Sequence, residues 1–259
     1  MSTQSYHTTT PQKLRLIWAL AMKNIRVKYK NSLLGFFWSI LNPLIFLLIF
    51  NYIFGKAFPQ IQNYPLYAVT GIVVWTLFPV ATNAVISSVL ENAGVLKSIA
   101  ISPTTFPLAS LVSSAVNFYL LLIPFTAIMI WLGLNPGWEA LLALIILHVY
   151  LIFILGLGYF LCALNVFYRD ISLLWNTLMP ALFYFTPIAY PVELIPENIR
   201  WAMKLNPIYF FVDGFRKCIY EHKVPDLNSW VMMLTIAFGS FIIGYFLFKK
   251  LQKNFISFY

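Results

Sequence analysis

Long apolar runs dominate the chain, and short polar or basic stretches separate them. Six runs are bounded by charged residues or by clusters of Pro, Asn and Gly: about 33–54, 66–90, 106–132, 140–167, 171–190 and 230–248. A helix rises about 1.5 Å per residue, so about 20 residues cross a hydrocarbon layer of roughly 30 Å. Because the runs are continuously apolar rather than alternating, the pattern predicts six transmembrane helices and not barrel strands.

The overall composition agrees with this pattern. The chain has 259 residues, of which 61% are hydrophobic and 10% are charged, and its mean hydropathy is +0.80. A soluble domain carries about 25% charged residues. The predicted fold class is therefore all-α, a polytopic membrane protein.

The basic residues predict the orientation of the spans. The segment before the first run and the segment after the last carry no acidic residue, and their basic residues are Lys13, Arg15, Lys23, Arg26, Lys28, Lys30, Lys249, Lys250 and Lys253. Basic flanks favour the cytoplasm, and an even number of spans returns both termini to one side. Both termini are thus predicted to be cytoplasmic. The net charge of +9 follows from this topology, and no nucleic-acid partner is predicted.

Four segments outside the spans have a distinct character. Residues 1–11 are predicted to be a disordered polar tail, and 249–259 a cytoplasmic basic tail. Residues 12–31 are predicted to form an amphipathic interface helix, which either binds lipid or a partner or serves only as a positive-inside anchor. Before the last span, 196–205 and 208–221 are predicted to form two short external helices, re-entrant or interfacial, which act as a gate.

No catalytic or metal-ligating set is identified. The three histidines are scattered, and His148, near the centre of the fourth run, is expected to hydrogen-bond to a neighbouring helix. Cys162 and Cys218 are predicted to lie at different depths and not to pair. The carboxylates of the external segment fall at spacings typical of helix surfaces. We therefore do not expect an enzyme.

The sequence also shows no phosphate-binding motif with which this chain could hydrolyse ATP. A phosphate-binding loop requires Gly, four residues, Gly-Lys and Ser or Thr, and the chain has no such sequence. Active transport would thus need a separate subunit that hydrolyses ATP. No cofactor is predicted in this chain, and ATP with its Mg²⁺ would bind to the partner.

Three stretches together resemble a known family. They are "RVKYKNSLLGFFWSILNP" at 26–43, "LNVFYRDI" at 164–171 and "FTPIAYPVELIPENIRWAMKLNPIYFFVDGFR" at 185–216. In this order they are similar to the membrane permease of ABC type-2 polysaccharide exporters. The resemblance implies a homodimer in the inner membrane, docked on two ATPase subunits. It implies export of a lipid-linked polysaccharide such as O-antigen, teichoic acid or capsule polymer.

Two groups of charged residues are candidates for function. Arg26, Lys28 and Lys30 precede the first span, where the phosphates of a lipid carrier would reach the inner leaflet, and they are predicted to bind that head group. Arg169 and Asp170 stand at the turn between the fourth and fifth runs. They are interpreted as a structural ion pair or a helix cap at that turn.

Two further groups follow from the resemblance and from the aromatic content of 18%. Lys97 and Pro103 mark the loop predicted to contact the ATPase. After Lys97 and Ser98 the chain reads "IAISPTTFP", whereas many family members have Phe-Pro and then a second basic residue. Trp38, Tyr184 and Tyr190 are candidates for an aromatic path along which a sugar polymer moves.

Two other functions remain open at this point. A small-molecule exporter permease of the same ABC type-2 superfamily would share the spans. A membrane-embedded transferase would need a catalytic carboxylate or histidine, and activity of the purified chain alone would distinguish it from a permease.

Overall fold

The computed structural model describes residues 10–30, 35, 37–59, 61–98 and 101–258. These residues form α-helices, short 3-10 helices and connecting turns, without a strand. The α-helices are α1 (Thr10–Tyr29), α2 (Phe37–Phe54), α3 (Tyr64–Glu91), α4 (Ala93–Ser98), α5 (Thr105–Trp131), α6 (Glu139–Phe167), α7 (Asp170–Phe185), α8 (Pro207–Ile219) and α9 (Leu227–Leu251). The 3-10 helices are Val192–Leu194, Glu197–Leu205 and Gln252–Phe258.

Helix α3 is the centre of the bundle. It contacts α2, α5, α6, α7 and α8, and it is buried along most of its length. A helix that is apolar on every face is stable only when it is surrounded. Its buried hydroxyls are satisfied within the helix: Thr70 donates to the carbonyl of Tyr67, and Thr82 donates to that of Phe78.

Helices α6 and α9 pack more closely than other pairs because glycines face each other. A Cβ atom on Gly244 would lie only 1.9 Å from the carbonyl oxygen of Gly156. A Cβ atom on Gly156 would lie 2.3 Å from the backbone nitrogen of Phe241. Small residues at such a crossing let two backbones approach in a membrane protein.

The six apolar runs all contain helices, which confirms the all-α prediction for the part of the chain that the structure describes. Four helices are long and apolar enough to cross a membrane: α3, α5, α6, and α9 with its continuation to Phe255. Helices α2 and α7 have only 18 and 16 residues. The count of six spans therefore stays a prediction.

The fifth run is shorter than the sequence predicted. Helix α7 ends at Phe185 instead of continuing to Tyr190, and Thr186 is extended with φ −100° and ψ 128°. Pro187 explains the difference, because the residue before a proline is driven out of the helical region. The chain from Thr186 to Ala189 then forms a buried irregular segment.

The two terminal segments also differ from the predicted tails. Helix α1 already begins at Thr10, so residues 10 and 11 are helical, while 1–9 and 259 lie outside the described residues. At the other end the chain continues beyond α9 as a 3-10 helix. Phe255 is fully buried there, with its ring centroid 5.8 Å from that of Phe167. Burial of this ring holds the 3-10 helix against the bundle.

The two short helices before α9 lie where they were predicted. Pro196 precedes the 3-10 helix Glu197–Leu205, and Asn206 caps α8 by accepting a hydrogen bond from the backbone nitrogen of Ile208 at 3.0 Å. The apolar residues of α8, among them Ile208, Phe211 and Phe215, are buried. Whether the pair enters the membrane stays a prediction.

Candidate functional site

A polar cavity of about 550 Å³ lies between α1, the second half of α3 and the first half of α5. We call it the polar cavity. Ten of its thirteen lining residues carry hydroxyl, amide or charged side chains, which is uncommon within an apolar bundle. Its lining residues are Lys23, Asn24, Val27, Lys28, Val80, Ala84, Ser87, Glu91, Asn92, Ser110, Ser113, Ser114 and Asn117.

Helix α1 lies against this cavity through polar contacts. The ammonium of Lys23 donates to the side-chain oxygen of Asn92 at 3.0 Å. The amide of Asn24 lies 3.4 Å from the hydroxyl of Ser110. Asn92 also donates to the carbonyl of Ser88 at 2.8 Å. Helix α1 is therefore bound to the bundle by polar side chains as well as by its apolar residues.

The structure places the three predicted head-group cations differently. Lys28 lines the polar cavity, and desolvation by the surrounding protein lowers the pKa of its ammonium. Arg26 and Lys30 are exposed, as Lys28 is, but they lie outside the lining. Lys23, which was not predicted, does line the cavity. The signal in the sequence was the spacing of Lys23, Asn24, Val27 and Lys28, at i, i+1, i+4 and i+5 on one helical face.

A smaller cavity of about 220 Å³ lies at the opposite end of the bundle. We call it the aromatic cavity, and its lining is Phe50, Phe54, Phe183, Tyr184, Thr186, Ile188, Ala189 and Tyr190. It brings together two of the three predicted path residues, and the hydroxyl of Tyr190 donates to the carbonyl of Tyr184 at 2.6 Å. The third, Trp38, lies near the start of α2, is 57% exposed and is not part of this lining.

A row of aromatic rings along α2 leads to the aromatic cavity. Phe46, Phe50, Phe54 and Phe58 stand four residues apart, and successive ring centroids are separated by 6.1, 5.6 and 5.5 Å. Phe183 of α7 lies 6.0 Å from both Phe46 and Phe50. These are the distances of offset or tilted aromatic pairs, so α2 and α7 meet through rings.

A buried arginine fixes the segment that lines the aromatic cavity. The guanidinium of Arg216 in α8 donates to the carbonyls of Pro187 and Ile188, and it lies 3.9 Å from the ring centre of Tyr67 in α3. Its side chain is buried. Gly71 leaves room for it, since a Cβ atom there would lie 2.6 Å from the guanidinium and 2.4 Å from the carbonyl oxygen of Ile188. Arg216 is not among the candidate residues that the sequence identified.

The structure also gives the environments of two further predicted pairs, Lys97 with Pro103 and Arg169 with Asp170. Lys97 is exposed on the short helix α4, and Pro103 is buried just before α5. Residues 99–100 between them lie outside the described part. Arg169 and Asp170 form no ion pair with each other or with another described residue, which corrects that interpretation. Adjacent side chains on a helix point in different directions, so these two lie apart and exposed.

The remaining candidates are structural. His148 interacts with the hydroxyl of Tyr119 on α5 at 3.3 Å, which confirms the expected contact with a neighbouring helix. Cys162 and Cys218 do not pair, as predicted, and both are buried. Burial, and secondarily the charge of Glu139, raises the pKa of the Cys218 thiol to about 11. No group of metal-ligating side chains occurs among the described residues.

Comparison with known proteins gives a consistent result over nearly the whole chain. Residues 15–220 match the sequence model of the ABC-2 type transporter family. The chain is 28% identical to an "O-antigen export system permease protein RfbA" of Klebsiella pneumoniae, over 93% of each chain. It is 27% identical to a protein of the same name from Myxococcus xanthus, over 86% of each. It is 22% identical to the "Polysialic acid transport protein KpsM" of Escherichia coli, over 91% of this chain and 93% of the relative.

Proposed function

Because the chain belongs to the ABC-2 type transporter family, we propose that it is the membrane permease of an exporter that moves a lipid-linked polysaccharide across the inner membrane. A separate ATPase supplies the energy, and two permeases assemble with two ATPase subunits. The observation that carries this proposal is the similarity, over about nine-tenths of the length, to permeases named for export of O-antigen and polysialic acid.

The proposed topology has six spans with both termini in the cytoplasm. Besides the four long helices, α2 and α7 are the two further proposed spans. Apolar side chains of both helices are exposed within one chain: Leu48 is 68% exposed and Leu173 is 67% exposed. Such faces need lipid or a second copy of the chain to cover them. In this orientation the polar cavity lies at the cytoplasmic end and the aromatic cavity at the external end.

The aromatic cavity is the proposed external part of the polymer path. Sugar rings present C–H faces, which pack on aromatic rings, and few charges are needed for such contacts. Tyr184 and Tyr190 line this cavity, and Tyr184 is 72% exposed within one chain. Trp38, on the same helix as Phe46 and Phe50, is proposed to contact the polymer nearer the cytoplasm.

The cations before α2 are proposed to have two roles. Lys28 faces the polar cavity and is the proposed contact for the head group. Arg26 and Lys30 are exposed and are proposed to bind anionic lipid at the membrane surface, where each basic residue contributes about 1 kcal/mol. Helix α4 with Lys97, and the turn with Pro103, are the proposed contact with the ATPase.

An ATPase assay tests whether ATP hydrolysis requires a separate subunit. The purified chain has no phosphate-binding loop, so we expect no ATP hydrolysis above the empty-nanodisc background until the partner subunit is added. Robust hydrolysis by this chain alone would contradict the permease function. Cross-links from the partner are expected at Lys97 and not in the 191–226 segment.

An export assay tests the substrate. Deletion of the gene is expected to leave the lipid-linked polymer inside the cell, and expression of the full chain is expected to restore polymer at the cell surface. Immunodetection of the polymer on intact and on lysed cells measures both pools. A deletion strain that exports its polysaccharides normally but accumulates a small molecule would favour the small-molecule exporter instead.

A further inference from the structure

We propose that the polar cavity is a binding site for a glycosyl phosphate, in which Lys23 and Lys28 bind the phosphate and the serine and asparagine side chains bind the sugar hydroxyls. The ligand chemistry is that of the phosphate-linked end of a polysaccharide, so the inference rests on the proposed function for its physiological source. The site itself is argued from the cavity alone.

The charges of the cavity favour an anion. Lys23 and Lys28 have no acidic group within 4 Å among the described residues, because the ion pairs there involve Arg200, Lys217 and Lys223. Glu91 is the single acidic residue of the lining, so two positive charges and one negative charge face the cavity. A phosphate bound at the cavity would accept charge-assisted hydrogen bonds from these ammonium groups.

The opposite wall has hydrogen-bonding groups without partners. Ser113 is 7% exposed and Ser114 is 4% exposed, yet neither hydroxyl has a hydrogen-bond partner among the described residues, and the hydroxyl of Ser87 on α3 has none either. A serine inside a membrane helix ordinarily bonds to a carbonyl of its own helix, as Ser88 does with that of Val85 at 2.7 Å. These hydroxyls open onto the cavity without a protein partner, so they are available to hydrogen-bond with a polar ligand.

The size of the cavity also fits a sugar phosphate. Its volume of about 550 Å³ lies within the roughly 300–1,000 Å³ of small-molecule sites. Val27, Val80 and Ala84 supply the apolar part of the lining, which suits the C–H face of a sugar ring. Phosphate, hydroxyl and C–H contacts thus converge in one place.

Protection of an introduced cysteine tests this site. Ser113→Cys places a thiol on the cavity wall, and both native cysteines are buried, so labelling of the full chain in nanodiscs by a small maleimide reports on residue 113. We expect saturating glucose 1-phosphate to slow labelling at least about threefold. Ser98→Cys, exposed on α4 outside the cavity, is the control and is expected to label at an unchanged rate. Ser87→Cys on the facing wall repeats the test if Ser113→Cys folds poorly.

Two further sets of protection measurements identify which parts of the ligand and of the protein are needed for binding. Glucose and inorganic phosphate are each expected to protect at least about tenfold more weakly than glucose 1-phosphate, since each lacks one set of contacts. Lys28→Gln is expected to raise the half-protecting concentration about tenfold, whereas Arg26→Gln, the same loss of charge at a residue of α1 outside the cavity lining, is expected to leave it unchanged.

Several results would overturn the inference: no protection by glucose 1-phosphate, equal protection by inorganic phosphate, or equal effects of Lys28→Gln and Arg26→Gln. The assay needs no ATPase and no export. Absence of protection in a chain that still exports polysaccharide would therefore reject the site and leave the proposed function standing.

Discussion

At the scale of single residues, Arg216 connects three parts of the molecule that are far apart in sequence. Its guanidinium joins α8 to the carbonyls of Pro187 and Ile188 and to the ring of Tyr67. A planar guanidinium can donate to two carbonyls and stack on a ring at once, which an ammonium cannot do. The segment that carries Ile188, Ala189 and Tyr190 to the aromatic cavity therefore depends on this side chain.

The variant Arg216→Lys is expected to destabilise the protein by about 2 kcal/mol, because charge-assisted hydrogen bonds and stacking are lost while a buried charge remains. The measurement is the thermal unfolding temperature of the detergent-solubilised chain. Arg169→Lys, an equal substitution at an exposed residue without an ion pair among those described, is the matched control. Equal unfolding temperatures for the two variants would contradict the role of Arg216.

The sequence indicated the kinds of residue at the site better than their positions. It pointed to the cations before the first span and to Tyr184 and Tyr190, and the structure brings the two tyrosines into one cavity. It favoured Arg26 over Lys23, because the direction in which α1 faces depends on its contacts with Asn92 and Ser110. Contacts between residues about 70 or more apart leave no local pattern in a single sequence.

At the scale of helices, the α6–α9 pair is the most sensitive to added volume. A Cβ atom added at Gly244 would lie 1.9 Å from the backbone carbonyl oxygen of Gly156. A backbone atom cannot rotate away as a side chain can. The two helices would have to separate, and their packing would be lost along several turns.

Gly244→Ala is accordingly expected to destabilise the protein by about 3 kcal/mol, at the upper end of overpacking costs. Gly239→Ala on the same helix is the control, since a Cβ atom there meets no atom within 4 Å and alanine favours the helix. The unfolding temperatures of both variants, together with the yield of folded chain in size-exclusion chromatography, measure the effect. A Gly244→Ala protein as stable as Gly239→Ala would show that α6 and α9 do not pack this closely.

Helix positions were largely predictable, and one helix end was not. Continuous apolar runs identified the helical segments because a bilayer leaves the backbone no other partner than itself. The end of α7 was missed because "FTPIAY" remains apolar beyond Phe185, although Pro187 was visible. An apolar sequence indicates that a segment is buried, but not that it is helical. Residues Thr186 to Ala189 are buried and are not helical.

At the scale of the whole molecule, the six-span topology makes a prediction about sidedness. Lys223 is exposed in the segment between α8 and α9, which the proposed orientation places outside the cell. A Lys223→Cys variant is expected to react with an impermeant thiol reagent added to intact cells. Mass spectrometry of the labelled chain measures the reaction.

The control for this experiment is the chain with Cys218 replaced by serine, which removes the only native thiol near this segment. The thiol of Cys218 is buried and its pKa is raised to about 11, so little background is expected even when it is present. Labelling of Lys223→Cys only after the cells are lysed would reverse the orientation and reject the six-span topology.

The unequal lengths of the helices have a consequence for the surrounding lipid. At about 1.5 Å per residue, α2 and α7 span about 27 and 24 Å, while α3, α5 and α6 span about 40 Å. A short helix is accommodated by local thinning of the bilayer, at a cost that rises with each ångström of mismatch. Lipid acyl-chain length would then act on one side of the molecule only. In thick bilayers the strain would fall on the α2–α7 side, so this protein would be sensitive to the membrane in which it is placed.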